Sequence, residues 1–258
     1  MSAYNDSNYI EQSIRSIKNQ SFIDWELIVI DDASRDDTWQ KILNLASNDK
    51  RIRVFKNEIN KGLTKNLNYG IGLAEGKYIA RLDSDDIWTD VNKLIEQINF
   101  LEQNNEYALV GTYSEVIDKN NNILSIIKYP IENKDIRKRI LVSNCFVHSS
   151  VMFRNMVEFR YPEEDKFVED YGLWLKIGEK YKIHNIPKYM VQYRFNESGI
   201  TQNKNLVQIS NVIKLIRKHK QSYSNYFKAI LKWHIQFLVT TVFGSIKLHK
   251  IKFSFRGK

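Results

Sequence analysis

Two short apolar runs in the first hundred residues end abruptly in carboxylates. Glu26-Leu27-Ile28-Val29-Ile30 stops at Asp31-Asp32, and Lys77-Tyr78-Ile79-Ala80-Arg81-Leu82 runs into Asp83-Ser84-Asp85-Asp86. Brief, near-continuous apolar runs are the signature of strands buried on both faces, as in parallel sheets. Helical spacing fills the chain between them. Ile10, Ile14 and Ile17 recur behind Asp6 and Ser7, either of which could cap a helix. Trp39, Ile42, Leu43 and Ala46 mark a second helix, Arg51 to Phe55 a second strand, Thr64 to Ala74 a third helix, and Val91 to Leu101 a fourth. Strand and helix alternate three times in about 100 residues, which predicts βαβ units around a parallel sheet. Ligands of open parallel sheets bind beyond the carboxyl ends of the strands, so both acidic clusters fall on the ligand side.

After Tyr107 the pattern shortens. Ala108 to Val116 and Ile123 to Lys128 flank Asp118-Lys119-Asn120-Asn121-Asn122, a hairpin turn, and the sheet is expected to become mixed. The predicted fold class is α/β, with a mostly parallel mixed central sheet flanked by helices. At 258 residues and 43% hydrophobic composition the chain can bury a substantial core without staples. Cys145 is the single cysteine, which excludes an internal disulfide and fits a reducing compartment. The opening residues have neither the basic region nor the apolar run of a signal peptide, and no stretch reaches about 18 apolar residues. A cytoplasmic location is therefore expected.

Hard oxygen donors without Cys or His nearby favour Mg²⁺ or Mn²⁺ over zinc, so Asp83, Asp85 and Asp86 either hold such an ion or cap and solvate the next helix. Asp31-Asp32-Ala33-Ser34-Arg35-Asp36-Asp37-Thr38 reads equally as a solvated loop, with Ser34, Asp36 or Asp37 capping the helix, or as an acceptor for the imide N–H of a uracil. Glu169-Asp170 opens an amphipathic helix. It is either a dipole-complementing pair or, if its first turn faces the pocket, a general base for a hydroxyl. His148, entering an apolar strand, ranks below these carboxylates as a hydrogen-bonded packing residue.

The order and spacing of these segments resemble glycosyltransferase family 2. The matching motifs are Ala3-Tyr4-Asn5, Ser13-Ile14-Arg15-Ser16-Ile17 with Gln20-Ser21-Phe22, Trp25 to Ser34 with Asp37-Thr38, and Asn60-Lys61-Gly62-Leu63 with Asn68-Tyr69-Gly70-Ile71. Gly76 to Asp86, His148 to Arg154, Glu169-Asp170 with Leu173-Trp174-Leu175, and Tyr193-Arg194 with Ser198 and Thr201 complete the set. The resemblance spans residues 1 to about 202. It implies a GT-A fold, a nucleotide diphosphate sugar donor, commonly UDP-linked, and transfer of a hexosyl or N-acetylhexosaminyl group with inversion. It further implies Asp32 at the base with Tyr4 near it, Asp83 beside the ribose, and Asp85 on a bridging Mn²⁺ or Mg²⁺ with Asp86 as the alternative ligand. Gly62, Asn68, His148 and Arg194 would complete the donor site, with Asp170 the general base and Glu169 beside it. Members of the family begin with an apolar strand ahead of the Ala3-Tyr4-Asn5 position, and the expectation here is a first strand cut short.

Charge is divided unevenly along the chain. The net charge is +9, yet residues 198 to 258 carry twelve cations and no acid. That asymmetry predicts a catalytic domain over residues 1–202 and a basic, aromatic-rich helical region over 203–258. Tyr226 to Ile246 mixes aromatic and aliphatic residues with spaced cations, as a helix lying in a bilayer interface would, or one packed on the catalytic body. The partners expected are a nucleotide sugar, a glycan or lipid-linked acceptor of surface polysaccharide synthesis, and the inner face of the cytoplasmic membrane, with nucleic acid not expected. Two other classes use the same residues. One is a metal-dependent nucleotidyltransferase or phosphohydrolase built on the strand-end carboxylates, although no P-loop or glycine-rich phosphate loop is present. The other is a non-catalytic membrane- or nucleic-acid-binding protein built on the basic tail.

Overall fold

A computed structural model describes residues 1–196 and 205–243. Strand and helix alternate through β1 (Ser2–Ala3), α1 (Ile10–Lys18), β2 (Leu27–Asp31), α2 (Thr38–Ala46), β3 (Ile52–Lys56), α3 (Leu63–Leu73), β4 (Tyr78–Ala80), β5 (Ile87–Trp88) and α4 (Lys93–Gln103). The second half comprises β6 (Tyr107–Ile117), β7 (Ile123–Ile127), α5 (Asn133–Arg139), β8 (Met152–Arg154), α6 (Glu169–Lys180), β9 (Lys182–Arg194), α7 (Asn205–Lys218) and α8 (Tyr226–Phe243). The expected α/β architecture is present, a mixed sheet system flanked by helices.

The sheet system is divided. β1, β2 and β3 form one parallel sheet in that order, while β4, β8, β6, β9 and β5 form a mixed sheet to which β7 adds through β6. The third apolar run is a strand, as predicted, but it pairs antiparallel with β8 (Ile79 opposite Phe153) and joins no parallel neighbour. An apolar run announces a buried strand; its partner is chosen by tertiary packing. β1 is a two-residue stub that meets only the upper end of β2 (Ser2 opposite Ile30, Ala3 opposite Asp31). Between the lower part of β2 and the free edge of β4 lies a cavity of about 740 Å³, lined by Leu27, Ile28, Ile79, Ala80, Leu67 and Leu94 among others.

Local expectations were met with adjustments. Neither Asp6 nor Ser7 caps α1 with its side chain. Asp6 accepts instead from the Tyr4 amide and from the Ser84 hydroxyl at 2.6 Å, a link between the two strand-end loops. Asp36, rather than Ser34 or Asp37, accepts the Thr38 amide at the start of α2. The hairpin turn forms at Asp118, whose carboxylate accepts the amides of Asn120 and Asn122 while Asn121 takes a left-handed φ of 68°.

The expected boundary near residue 203 lies outside the described residues. On its far side, Val212, Leu215, Ile216, Tyr223 and Ala229 are buried in one cluster with Leu173, Trp174 and Ile177 of α6. The Tyr223 hydroxyl donates to the Leu175 carbonyl at 2.6 Å, and Arg137 of α5 donates to the Gly178 and Ser222 carbonyls. α7 and the start of α8 thus pack into the core of the body. Among the described residues, no helix is long and apolar enough to cross a membrane.

Candidate active site

The first strand-end loop is closed by Asp32. It is 2% exposed, and its carboxylate accepts the Asn57 amide group and the Lys61 N–H at 2.8 Å and the Gly62 N–H at 2.9 Å. Burial opposes ionisation, yet these donors hold its carboxyl below the usual range. Gly62 sits at φ +87°, a conformation glycine adopts without strain, and so aims its N–H at Asp32 while opening α3. Asp32 therefore spends its oxygens on the 57–62 loop, which leaves Asp31, with one buried oxygen unpartnered, as its neighbour on the strand. Tyr4 is exposed beside it. Asn5, at φ 57°, stitches its segment to this loop by donating to the Ser34 hydroxyl and accepting from the Arg35 amide.

The second cluster follows β4. Buried Arg81 pairs with Asp83, and although burial pulls the other way, that guanidinium holds the Asp83 carboxyl below its ordinary range. The Ser149 hydroxyl lies between carboxylates, 2.5 Å from Asp86 Oδ2 and 3.1 Å from Asp83 Oδ2. Asp86 is fully buried and also accepts the Arg194 amide at 2.7 Å, so both its oxygens are committed. The Arg194 guanidinium donates to the Asp85 and Asp118 carbonyls and packs over Tyr9. Asp86 and Arg194 thus brace the turn; neither presents a free group to a ligand. Asp85 is the free carboxylate. It makes no side-chain hydrogen bond to another described residue, and burial, reinforced by the charges of Asp83 and Asp6, pushes its pKa up to about 7.

The third acidic pair arrives from the other half of the fold. Glu169 and Asp170 occupy the first turn of α6, which begins two residues after Phe167, whose φ of 67° marks a sharp redirection of the chain. Asp170 accepts from the Asn144 amide group at 3.1 Å; burial, with Asp83 adding repulsion, raises it to about 6. Burial and then the Asp170 charge raise Glu169 to about 7. The first turn of α6 therefore lies within electrostatic reach of Asp83. His148 stands between the clusters, its Nδ1 3.7 Å from Asp83 and its Nε2 2.9 Å from the Tyr161 hydroxyl; burial, then Arg81, lowers its pKa to about 3, so it is neutral. Asn68 is drawn elsewhere, clamping the backbone of Tyr161 through both its amide atoms at 2.8 Å.

Arg81, Asn144, Ser149 and Tyr161 were not singled out from the sequence. Asn144, Ser149 and Tyr161 are of common residue types and meet their partners across 13 or more residues, while Arg81 pairs with Asp83 only two residues on but sits inside an apolar run that gives no sign of the pair. The oxygen-only set around Asp85 suits a hard divalent cation that takes one or two protein carboxylates and fills its remaining positions from phosphates and water. No group of three or more His, Cys, Asp or Glu side chains converges on a metal position among the described residues.

The family model of Glycosyl transferase family 2 matches residues 1–160. The chain is 37% identical over 209 residues to the Escherichia coli UDP-Glc:alpha-D-GlcNAc-diphosphoundecaprenol beta-1,3-glucosyltransferase WfgD, covering 79% of each protein. It is 32% identical to the E. coli UDP-Glc:alpha-D-GlcNAc-diphosphoundecaprenol beta-1,3-glucosyltransferase WfaP, over 89% of this chain and 91% of that one. Among solved structures, S. aureus TarS 1-349 in complex with UDP-GlcNAc superposes with a TM-score of 0.72 at 20% identity, over 98% of this chain and 76% of that one. The mannosyltransferase PcManGT from Pyrobaculum calidifontis, in complex with GDP-Man and Mn²⁺, superposes at 0.66 and 17% identity over 93% and 68%. Those two likenesses establish the GT-A fold. The readings as a phosphohydrolase or nucleotidyltransferase and as a non-catalytic binding protein give way, and the chain belongs to glycosyltransferase family 2.

Proposed function

We propose that this glycosyltransferase moves a hexosyl group, with inversion, from a UDP-sugar to a hydroxyl of a lipid-linked glycan in surface polysaccharide synthesis, working at the inner face of the cytoplasmic membrane. One observation carries the reading. The half-buried Asp170 at the start of α6 lies within electrostatic reach of Asp83 and has a carboxyl raised to about 6, where a base is effective near neutral pH. Asp170 would take the acceptor proton as the acceptor oxygen bonds to the anomeric carbon and the bond from that carbon to the diphosphate oxygen breaks, releasing UDP. Neutral His148 and the Arg81–Asp83 pair would border the donor, with Tyr4 and the Asp31–Asp32 loop at its base. Asp85 would hold Mn²⁺ or Mg²⁺, which supplies Lewis-acid stabilisation of the departing diphosphate. The names of WfgD and WfaP support a UDP-glucose donor and a lipid diphosphate acceptor.

The test is a thermal-shift panel of UDP- and GDP-sugars with and without Mn²⁺, followed by transfer to a GlcNAc-diphospholipid. Metal-dependent stabilisation by UDP-hexoses and a β-linked product are expected. Stabilisation by GDP-sugars alone would overturn the donor assignment, and UDP-sugar binding unaffected by chelator would overturn the metal assignment.

A further inference from the structure

Helix α8 has two unlike faces. Ala229, Ile230 and Trp233 turn inward, the Trp233 indole donating to the Val142 carbonyl at 3.1 Å, and Thr240 is buried further along. Outward stand Phe227, Leu231, Ile235, Leu238 and Val242, exposed by 85%, 63%, 52%, 62% and 71%. Their spacing of four, four, three and four residues places all five on one stripe of a helix with 3.6 residues per turn. A soluble protein gains nothing by presenting five large apolar side chains in a row, and contiguous apolar patches of this kind mark contact surfaces.

Charge selects what the surface meets. Exposed Lys228 borders the stripe, and Arg217, Lys218 and Lys220 are exposed at the end of α7 and in the turn after it. From Ser198 to the C-terminus the sequence has twelve cations and no acid, with Lys247, Lys250, Lys252, Arg256 and Lys258 following α8. A second copy of this chain would bring the same stripe with the same excess of positive charge, which opposes self-association. A surface that accepts apolar side chains into its interior while presenting negative charge at its rim is complementary on both counts, and an anionic bilayer has that character.

We propose that the outer stripe of α8 is the membrane-docking face, lying in the plane of an anionic lipid surface with Phe227, Leu231, Ile235, Leu238 and Val242 among the acyl chains and Lys228 at headgroup level. The helix lies on the bilayer and does not span it. This inference rests on the reading that the acceptor is held at a membrane; its test uses neither donor nor acceptor, so the two fail separately. It also assigns a division of labour within one helix, the inner face completing the fold and the outer face addressing the lipid.

The experiment is co-sedimentation of the full chain with vesicles of phosphatidylcholine containing about one third phosphatidylglycerol, against phosphatidylcholine alone. Binding to the anionic vesicles that weakens with salt, but is not abolished by it, is expected. Replacing Leu231→Gln and Leu238→Gln together should lower that binding by at least about tenfold, since each exchange removes a buried apolar side chain from the lipid contact. Both positions are exposed, so the variant's melting temperature and UDP-sugar binding should match the parent. Equal vesicle binding by parent and variant, or no preference for anionic lipid, would overturn the proposal. So would a parent that sediments as a dimer and a variant that is monomeric, which would assign the stripe to a second copy.

Discussion

The Ser149 hydroxyl and the Asp86 carboxylate approach to 2.5 Å, in a pocket where Asp86 has no exposure to solvent. With the Arg194 amide on its other oxygen, Asp86 is the buried post against which the Asp83–Asp85 turn is held. Ser149 sits in a short 3₁₀ turn at His148–Ser150, sixty-three residues further along the chain, so this contact binds the two halves of the fold at the site. Ser149→Ala would leave a buried carboxylate short of a donor, a loss of about 1–3 kcal/mol. For a chain this long that is a fall of several degrees in melting temperature. Calorimetry should show this fall together with weaker UDP-sugar binding; an unchanged melting point would mean that water replaces the hydroxyl.

Asp85 offers the opposite case, a carboxylate that costs stability when alone. Burial and the Asp83 and Asp6 charges raise it to about 7, so its ionised form opposes folding above that pH. Asp85→Asn should therefore make the metal-free protein as stable as the parent or more stable at pH 8, while abolishing metal-dependent UDP-sugar binding. Thermal shift with and without Mn²⁺ measures both, and retained metal dependence would remove Asp85 from the site.

The α6 pair sets a pH profile. A carboxyl raised in the folded state keeps its proton where the unfolded chain has lost it, so folding is favoured at low pH and stability falls as pH rises through the window. Asp170 at about 6 and Glu169 at about 7 place that window between about 4, the ordinary carboxyl range, and about 7. Turnover moves the other way, rising with pH through about 6 as Asp170 becomes able to accept a proton. Asp170→Asn should leave donor binding near normal and lower turnover by roughly two to four orders of magnitude. Stopped assays across pH 5 to 8 check both limbs, and turnover within a few-fold of the parent would assign the base elsewhere.

The slot between β2 and β4 carries a fourth prediction. The Ile30 amide donates to the Met1 carbonyl at 3.0 Å and the Met1 nitrogen to the Ile28 carbonyl at 2.8 Å, so the parallel ladder is already laid beside β2 as far as Met1. Fusing an apolar segment of about six residues ahead of Met1, a usual strand length, should extend this ladder between the two free edges. Melting temperature and nucleotide affinity should rise together, and the amides of Ile28 and Ala80, which face the slot, should gain protection from hydrogen exchange. A matched extension containing alternate prolines should give no gain. If both extensions behave alike, the cavity is not a strand site.

What could be read from the sequence and what could not divide along a physical line. Periodicity exposed the helices and strands because each is a local property, and the acidic runs after β2 and β4 were visible because both ligand-side loops are continuous in sequence. Residue roles that depend on distant partners were hidden. Asp86 and Arg194 were recognisable as site positions, but nothing in either segment shows that they bond to each other across 108 residues and so brace the turn instead of facing a ligand. Asn68 likewise clamps Tyr161 from 93 residues away. Asn144 and Ser149 owe their importance wholly to the carboxylates that the fold brings beside them.

The last prediction concerns the basic C-terminal region, which charge division set apart from the catalytic domain. Leu215 and Ile216 are fully buried against the α6 cluster, and the Tyr223 hydroxyl caps the Leu175 carbonyl. Truncating one such aliphatic side chain costs about 2–5 kcal/mol, while a whole domain is stable by only about 5–15 kcal/mol. Deleting residues 205 to 258 removes several of these side chains at once and exposes the face of α6 that they cover. The truncated protein should be insoluble or molten, and it should lose UDP-sugar binding because α6 also carries Glu169 and Asp170. Leu215→Ala should produce a graded version of the same defect, lowering melting temperature without changing vesicle binding. A truncated protein that melts cooperatively and binds UDP-sugar would show that the core closes without α7, and would return this region to the status of an appended tail.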